Sequence, residues 1–142
     1  MLTESAFLHN LPPQPLGPAM PTRLAAIRQI SVNARDLPRA TAFYRDSLGI
    51  RHLFDAPPQM SFFDCGGIRL LVGVAEKGEF DHPSSILYFQ VADIDAAHRE
   101  LSGKGVKFRE PPHFVAPLGR KQLWLAFFHD TEGNVMALSA EK

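Results

Sequence analysis

The apolar and polar residues of this chain follow the same order twice. Residues 27–49 (IRQISVNARDLPRATAFYRDSLG) are echoed by residues 84–105 (SSILYFQVADIDAAHRELSGKG). Each stretch begins with alternating apolar and polar residues, continues with an Asp that suits a helix N-cap (Asp36 or Asp93), and ends on a glycine. A supersecondary unit that occurs twice predicts two similar modules with a cleft between them.

The first copy predicts one strand, one helix and three further strands. Gln29, Ser31 and Asn33 form the polar side of a strand over residues 27–34, and apolar residues at helical spacing follow from 37 to 48. Pairs of proline and glycine then separate short alternating runs. These runs predict strands at residues 51–54, 59–63 and 68–74.

The second copy repeats this order. A strand is predicted at residues 86–91, and the helix that begins after Asp93 ends at Gly103 or Gly105. A proline-rich loop is predicted at residues 110–120. The remaining strands are predicted at residues 106–109, 121–129 and 135–139, so the order β-α-β-β-β occurs twice.

The boundaries of these units follow from composition. Residues 1–22 contain five prolines and no regular period, which predicts an extended N-terminal arm. Residues 23–142 form the predicted domain, with module one at residues 24–75 and module two at residues 84–140.

Charge and cysteine content exclude several classes of function. Fifteen Lys and Arg residues balance fifteen Asp and Glu residues, which argues against nucleic acid or an anionic membrane as a partner. Cys65 is the single cysteine, so neither an intrachain disulfide nor a zinc site with several cysteines can form. Because the sequence has no signal-peptide core and no long apolar run, we expect a cytoplasmic protein.

The polar sides of the two leading strands are candidates for a ligand cavity. The apolar sides should lie under the helices, which leaves Gln29, Ser31 and Asn33 on the opposite side of module one. Ile86 and Tyr88 occupy the corresponding side in module two. A solvated outer face would explain the polar residues equally well, but an aromatic and a branched aliphatic residue favour a cavity.

The motifs of both copies resemble the vicinal oxygen chelate superfamily, which includes glyoxalases, bleomycin-resistance proteins and extradiol ring-cleaving dioxygenases. The resemblance covers residues 24–140. It implies an α+β fold in which two β-α-β-β-β modules form an open, cup-like mixed sheet with the helices outside, and it implies a homodimer. The matching segments are the strand at 27–32, RDL at 35–37, AFYRD at 42–46, LG at 48–49, VADID at 91–95 and the DTEGN turn from 130.

The resemblance also implies where a divalent metal would bind. Catalytic members hold it on cavity-facing His, Gln or Glu residues of the first and last strand of each module. Only Gln29 among the corresponding residues can donate a lone pair, so we expect neither a metal at these positions nor another cofactor. A shift by one residue would bring Arg69 or Leu71 into the cavity, and neither binds a metal. The four corresponding positions are Gln29, Leu70, Ile86 and Ala137.

Other side chains could contribute catalysis or binding. His113 and His129 are candidate acid/base residues, although locally bonded or exposed histidines are the commoner explanation. Arg69 and Arg120 are candidates for holding an anionic group of a ligand, with a solvated surface role as the alternative. The aromatic residue Phe62 is a further candidate for the cavity wall. The predicted ligand-binding set is Gln29, Asn33, Tyr88, Trp124, Phe128 and Arg120.

Three functions are compatible with this sequence. The first is a binding protein of the glyoxalase/bleomycin-resistance type, with a partly aromatic cavity and without the usual metal site. The second is a metal-dependent lyase, isomerase or ring-cleaving dioxygenase with a rearranged site that combines Gln29 with His113 or His129. The third is a metal-independent enzyme that uses one of these histidines. We rank the binding protein first, because three of the four corresponding metal positions carry no donor atom. The resemblance to the family does not by itself select a reaction.

Overall fold

The computed structural model describes residues 21–76 and 78–142. Residues 1–20 of the predicted arm lie outside the described residues. Module one comprises β1 (Gln29–Asn33), α1 (Leu37–Ala42) with a π-helical turn (Phe43–Ser47), β2 (Arg51–Ala56), β3 (Met60–Cys65) and β4 (Ile68–Gly73). After a short 3₁₀ turn (Gly78–Phe80), module two comprises β5 (Leu87–Gln90), α2 (Ile94–Gly103), β6 (Lys107–Phe108), β7 (His113–Leu118), β8 (Lys121–His129) and β9 (Val135–Glu141).

The strand order repeats between the modules. Sheet one has the order β1-β4-β3-β2, and sheet two has the order β5-β9-β8-β6. In both sheets the first strand pairs in parallel with the last, and the remaining pairs are antiparallel. No strand pairing joins the two sheets within the described residues. The fold is therefore mixed α+β with two open sheets, as the sequence predicts.

Both helices begin where the sequence predicts. The Asp36 carboxylate accepts a hydrogen bond from the Arg39 N–H at 3.1 Å, and the Asp93 carboxylate accepts one from Ala96 at 3.0 Å. These bonds satisfy backbone donors that have no partner within the helix. Gly49 follows the first helical segment with a φ of +70°, a left-handed conformation that glycine adopts without steric cost.

The prediction of a loop over residues 110–120 is wrong, because this segment contains β7. Pro111 and Pro112 interrupt an otherwise extended segment, so β6 and β7 pair separately with the same strand β8. Pro117 lies within β7 and has no N–H to donate. It is tolerated there because the other side of β7 pairs with no strand in the described residues.

The helices cover one side of each sheet and share a single core. Side chains from both modules contribute to this core, among them Val32, Phe63 and Val72 of module one and Ile94 and Met136 of module two. None of these five is more than 1% exposed, which makes the two modules one packed unit rather than two independent domains. In the described part of the chain, no helix is long and apolar enough to cross a membrane.

A buried carboxylate links the two modules. Asp130, in the turn between β8 and β9, is 6% exposed and accepts a hydrogen bond of 2.6 Å from the Tyr44 hydroxyl of module one. It also accepts hydrogen bonds from the backbone N–H groups of Glu132 and Asn134 and from the Asn134 side chain. Burial, followed by the charge of Asp130, raises the pKa of Tyr44 well above its usual value, so this hydroxyl stays protonated and donates.

Glu132 makes a second link between the modules. Its carboxylate accepts hydrogen bonds from the N–H groups of Arg35 and Asp36 at 2.7 and 2.8 Å, and from the Arg39 guanidinium at 2.8 Å. Burial alone would raise the pKa of Glu132, but the hydrogen bonds from Arg39, Asp36, Thr131 and Arg35 outweigh it and lower the pKa to about 2. The geometry at the start of α1 therefore depends on a residue of module two.

We expect Tyr44→Phe to lower the free energy of unfolding by about 1.5–3 kcal/mol, because it removes a buried hydrogen bond to a charged group. Urea unfolding followed by circular dichroism measures this change. Tyr88→Phe is the matched control: Tyr88 is 54% exposed, and its loss of a hydroxyl should change stability by less than about 0.5 kcal/mol. Equal stability of Tyr44→Phe and wild type would contradict the role of this bond.

We expect the stability contribution of Glu132 to depend on pH. Because its pKa falls from 4.5 in the unfolded chain to about 2 in the folded protein, the contribution is complete above pH 4.5 and is lost as the pH falls towards 2. Glu132→Gln should therefore cost about 1.5–3 kcal/mol at pH 7 and progressively less below pH 4.5. Urea unfolding from pH 7 to pH 2.5 tests this, with the exposed Glu100→Gln as control. A cost that stays constant over this range would refute the assignment.

Candidate functional site

The side of each sheet that is turned away from the helices is its open face. On β1, the open face carries Gln29 and Ser31, which are exposed, whereas Val32 is 1% exposed on the helix side. This arrangement confirms the predicted separation of the two sides. Open face one comprises Gln29, Ser31, Arg51, Phe54, Phe62, Asp64, Arg69 and Leu71, and open face two comprises Tyr88, His113, Leu125, Phe127, His129 and Ala137.

Open face one consists of an apolar row and a charged row. Cross-strand pairing aligns Ser31, Leu71, Phe62 and Phe54 in register, and the rings of Phe54 and Phe62 stack at 4.7 Å between centroids. The neighbouring row, two residues away along each strand, is Gln29, Arg69, Asp64 and Arg51. An aromatic surface therefore lies directly beside cationic side chains.

Arg69 is the central polar residue of open face one. Its Nε donates a hydrogen bond of 2.6 Å to Oε1 of Gln29, and its guanidinium carbon lies 5.8 Å from the centre of the Phe62 ring. No carboxylate of the described residues comes within 4.0 Å of its guanidinium. The cation is half-buried, oriented by Gln29 and not neutralised by a described residue.

The assignment of Leu70 to a cavity-facing position is wrong. Leu70 pairs with Ile30 and is 2% exposed in the helix-side core. The strand is shifted by one residue relative to that assignment, so Arg69 and Leu71 lie on the open face instead. The three consecutive apolar residues at 70–72 place apolar side chains on both sides of the strand, so they do not by themselves define which side faces the core.

The donors at the family's metal positions do not suit a divalent cation. Gln29 directs its oxygen to the Arg69 guanidinium, and a positive charge at this distance opposes the binding of a second cation. Ala137 pairs with Tyr88 on open face two and, like Ile86, carries no lone pair for a metal. Within residues 21–76 and 78–142, no three His, Cys, Asp or Glu side chains are grouped so that they could hold a metal.

Open face two carries a series of aromatic rings. Tyr88 meets Phe127 edge-on at 6.1 Å, and Phe127 stacks with the His113 ring at 6.3 Å. Tyr88 is 54% exposed, which leaves its ring accessible to a ligand or to a second protein surface. Phe127 is the residue that sequence reasoning missed, because both sides of β8 are apolar and only the position of α2 distinguishes them.

The placement of Phe128 and Trp124 in the cavity is wrong. Phe128 is fully buried on the helix side, where its ring packs against Phe89 and Phe108. Trp124 lies on the same side of β8 and packs against the core. Its Nε1 donates to Gln122, and the ammonium group of Lys142 lies 4.1 Å from the ring centre. Both residues contribute to the core rather than to an open face.

The two candidate histidines lie on the same face but not together. His113 pairs with Leu125, and Leu125, Phe127 and His129 alternate along β8, so both histidines belong to open face two. Leu125, the cross-strand partner of His113, lies four positions before His129 on β8. The two histidines are therefore about 13 Å apart along this strand. Nδ1 of His113 is buried, has no hydrogen-bond partner in the described residues and lies 3.7 Å from Oε1 of Glu110.

Asn33 and Arg120 occupy different parts of the molecule. The Asn33 amide nitrogen donates to the carbonyl oxygens of Phe80 and His82 at 3.0 and 2.7 Å, which ties the segment between the modules to β1. Asn33 also borders two grooves of about 320 and 630 Å³ that lie beside this segment. Arg120 is exposed in the turn between β7 and β8, next to Gly119 with a φ of +58°.

Two modules with the same strand order, open sheets and a shared helix-side core define the class of vicinal oxygen chelate folds. The family model "Glyoxalase/Bleomycin resistance protein/Dioxygenase superfamily" matches residues 26–138. The chain belongs to this superfamily, which confirms the resemblance stated for its sequence.

Individual proteins are similar to this chain in sequence or in fold. The chain is 28% identical over 126 residues to the uncharacterized protein YraH of Bacillus subtilis (strain 168), covering 78% of this chain and 94% of YraH. Its fold is similar to lactoylglutathione lyase from Agrobacterium tumefaciens (TM-score 0.63, 21% identity, 84% of this chain and 96% of the other). It is also similar to the fosfomycin resistance protein FosX from Listeria monocytogenes (TM-score 0.65, 16% identity, covering 83% of this chain and 94% of FosX). At these identities the two structures show the fold alone.

Proposed function

We propose that this protein binds a small molecule with an apolar or aromatic body on its open faces, without a divalent metal at the family's usual positions. The observation that carries this proposal is the pair of rows on open face one. Phe54, Phe62 and Leu71 provide an apolar surface. Arg69 donates a hydrogen bond to the side-chain oxygen of Gln29, which is the one residue at the family's metal positions that could donate a lone pair to a metal. A surface of this kind binds ligands by apolar contact and by hydrogen bonds from fixed polar groups.

The kinds of protein named in the superfamily are compatible with a binding role. Its name includes bleomycin-resistance proteins, and one structural neighbour is named a fosfomycin resistance protein. Another neighbour is named a lyase, so the fold by itself does not choose between binding and catalysis. Binding is favoured here because open face one combines an apolar row with the Arg69–Gln29 pair and offers no set of metal ligands among the described residues.

A second candidate is a metal-independent enzyme that uses His113. The buried Nδ1 of His113 has no described hydrogen-bond partner, and Glu110 lies 3.7 Å away, an arrangement that could move a proton during a reaction. The metal-dependent alternative, Gln29 with His113 or His129, has less support, because Gln29 Oε1 accepts a hydrogen bond from the Arg69 guanidinium, whose charge opposes a bound cation. The two histidines do not form a joint site either, since about 13 Å separates them along β8.

We also propose that the protein forms a homodimer through its open faces. Large apolar side chains are exposed there in a single chain, with Phe54 40% and Tyr88 54% exposed. Covering such residues by a second copy would remove apolar surface from water and enclose the ligand between two faces. We also propose a cytoplasmic location for the protein.

For the binding proposal, chelator-treated protein should show no stoichiometric binding of Zn²⁺, Ni²⁺, Mn²⁺ or Fe²⁺ by calorimetry and no metal-dependent rise in melting temperature. The neutral probe N-phenyl-1-naphthylamine should bind and gain fluorescence. Phe62→Ser should weaken its binding by about tenfold or more, because burying an aromatic side chain contributes about 1.5–3 kcal/mol. Phe114→Ser, a partly exposed aromatic residue on β7, is the matched control.

Tight one-to-one metal binding that Gln29→Ala weakens would overturn the metal-free proposal. Equal effects of Phe62→Ser and Phe114→Ser would show instead that the probe does not bind on open face one.

For the dimer, light scattering after size exclusion should give about twice the chain mass of 15.8 kDa. Phe54→Glu should shift the protein towards the monomer, because it introduces an unpaired charge into the buried apolar face. Leu24→Glu is the control, since Leu24 is 97% exposed and lies outside both open faces. A monomeric wild type at micromolar concentration would contradict the proposed dimer.

A further inference from the structure

We infer that the ligand carries a planar oxyanion, such as a carboxylate, and that the Arg69 guanidinium receives it at the position where relatives would hold a metal cation. This inference rests on the proposed binding function and specifies the chemical class of the ligand. It follows from the orientation of Arg69, from the absence of a competing described carboxylate, and from the spacing of the two rows of open face one.

Parallel pairing of β1 and β4 fixes the orientation of the guanidinium. Gln29 and Arg69 are direct partners in the register, and Gln29 Oε1 accepts a hydrogen bond from Nε of Arg69 at 2.6 Å. This bond uses the inner N–H of the guanidinium. The two terminal nitrogens of Arg69 and the amide nitrogen of Gln29 donate to no described residue, and they remain available to one acceptor group.

The neighbouring carboxylate does not neutralise Arg69. Asp64 is the cross-strand partner of Arg69 on β3, but its Oδ1 accepts a hydrogen bond from the backbone N–H of Gly67 at 3.1 Å. Among the described ion pairs, none joins Asp64 to Arg69 within 4.0 Å. The guanidinium is half-buried beside the Phe62 ring, and hydrogen bonds from a partly desolvated cation to an anion are stronger than those in open water.

A guanidinium and a divalent metal can receive the same pair of ligand oxygens. Both are cations, and the two terminal nitrogens of Arg69 present parallel N–H groups that match the two oxygens of a carboxylate. A metal cation and the Arg69 guanidinium would repel each other at this position, so a site of this kind holds one of the two cations and not both. The positive charge on open face one therefore belongs to the chain itself, and no metal is needed to attract a ligand oxyanion.

The spacing of the rows indicates what lies next to the oxyanion. Phe62 and Leu71 stand two residues along their strands from the row of Arg69, which corresponds to about 6.7 Å. This distance accommodates an aromatic ring on the apolar row while a carboxylate attached to that ring meets Arg69. The ligand class is thus an aromatic or similarly apolar carboxylic acid.

Two probes that differ only in charge test this inference. Calorimetric titration of the full-length wild-type protein with 2-naphthoate and 2-naphthamide should give at least about tenfold tighter binding of the carboxylate. Arg69→Gln should abolish this preference, because both probes then meet a neutral amide. Arg69→Lys should recover part of it, since an ammonium group keeps the charge but lacks the paired geometry of the guanidinium.

Arg99→Gln, on the exposed side of α2, is the matched control and should leave the preference unchanged. Thermal melting identifies any variant that fails to fold, and the comparison of the two probes on wild-type protein does not depend on a variant. Equal binding of both probes by wild type would overturn the oxyanion inference and leave the binding proposal intact. If wild type binds neither probe, the binding proposal fails, and the inference fails with it.

Discussion

The buried carboxylate of Asp130 is the interaction on which the arrangement of the two modules depends. It receives the Tyr44 hydroxyl from module one and three N–H groups from its own turn, so each of its oxygens has a partner. A buried charge without these donors would cost several kcal/mol, so the turn is stable in this position only while its donors surround the carboxylate. Because the turn also places Glu132 against the start of α1, the same few residues hold the first helical segment of module one against the β8–β9 turn of module two.

The division of each sheet into two sides separates stability from function. On the helix side, Val32, Phe63, Phe128 and Met136 pack into one core and are at most 1% exposed. The open faces contribute little to that core, and their residues can differ among relatives without loss of the fold. The Arg69–Gln29 pair is compatible with this separation, because it adds positive charge to the open face and takes no part in the core.

The sequence predicted the fold well because several local signals agreed. The repeat, the capping residues Asp36 and Asp93, and the closing glycine Gly49 each depend on short-range chemistry, and the structure confirms all of them. The strand β8 has the bounds predicted for it. The error at β7 also has a local cause, since two consecutive prolines resemble a loop in sequence even where the chain on either side remains extended.

The sequence by itself determined the superfamily, the repeated order of the elements apart from β7, and the start of both helices, because residue types and spacing carry that information. Only the tertiary structure decided that Arg69 rather than Leu70 lies beside Gln29, and that Phe127 rather than Phe128 lies beside Tyr88. In both strands the apolar residues occupy consecutive positions, so the alternation that normally identifies the core side is missing. The choice of side then depends on which face the helix covers, and that is a property of the packed molecule.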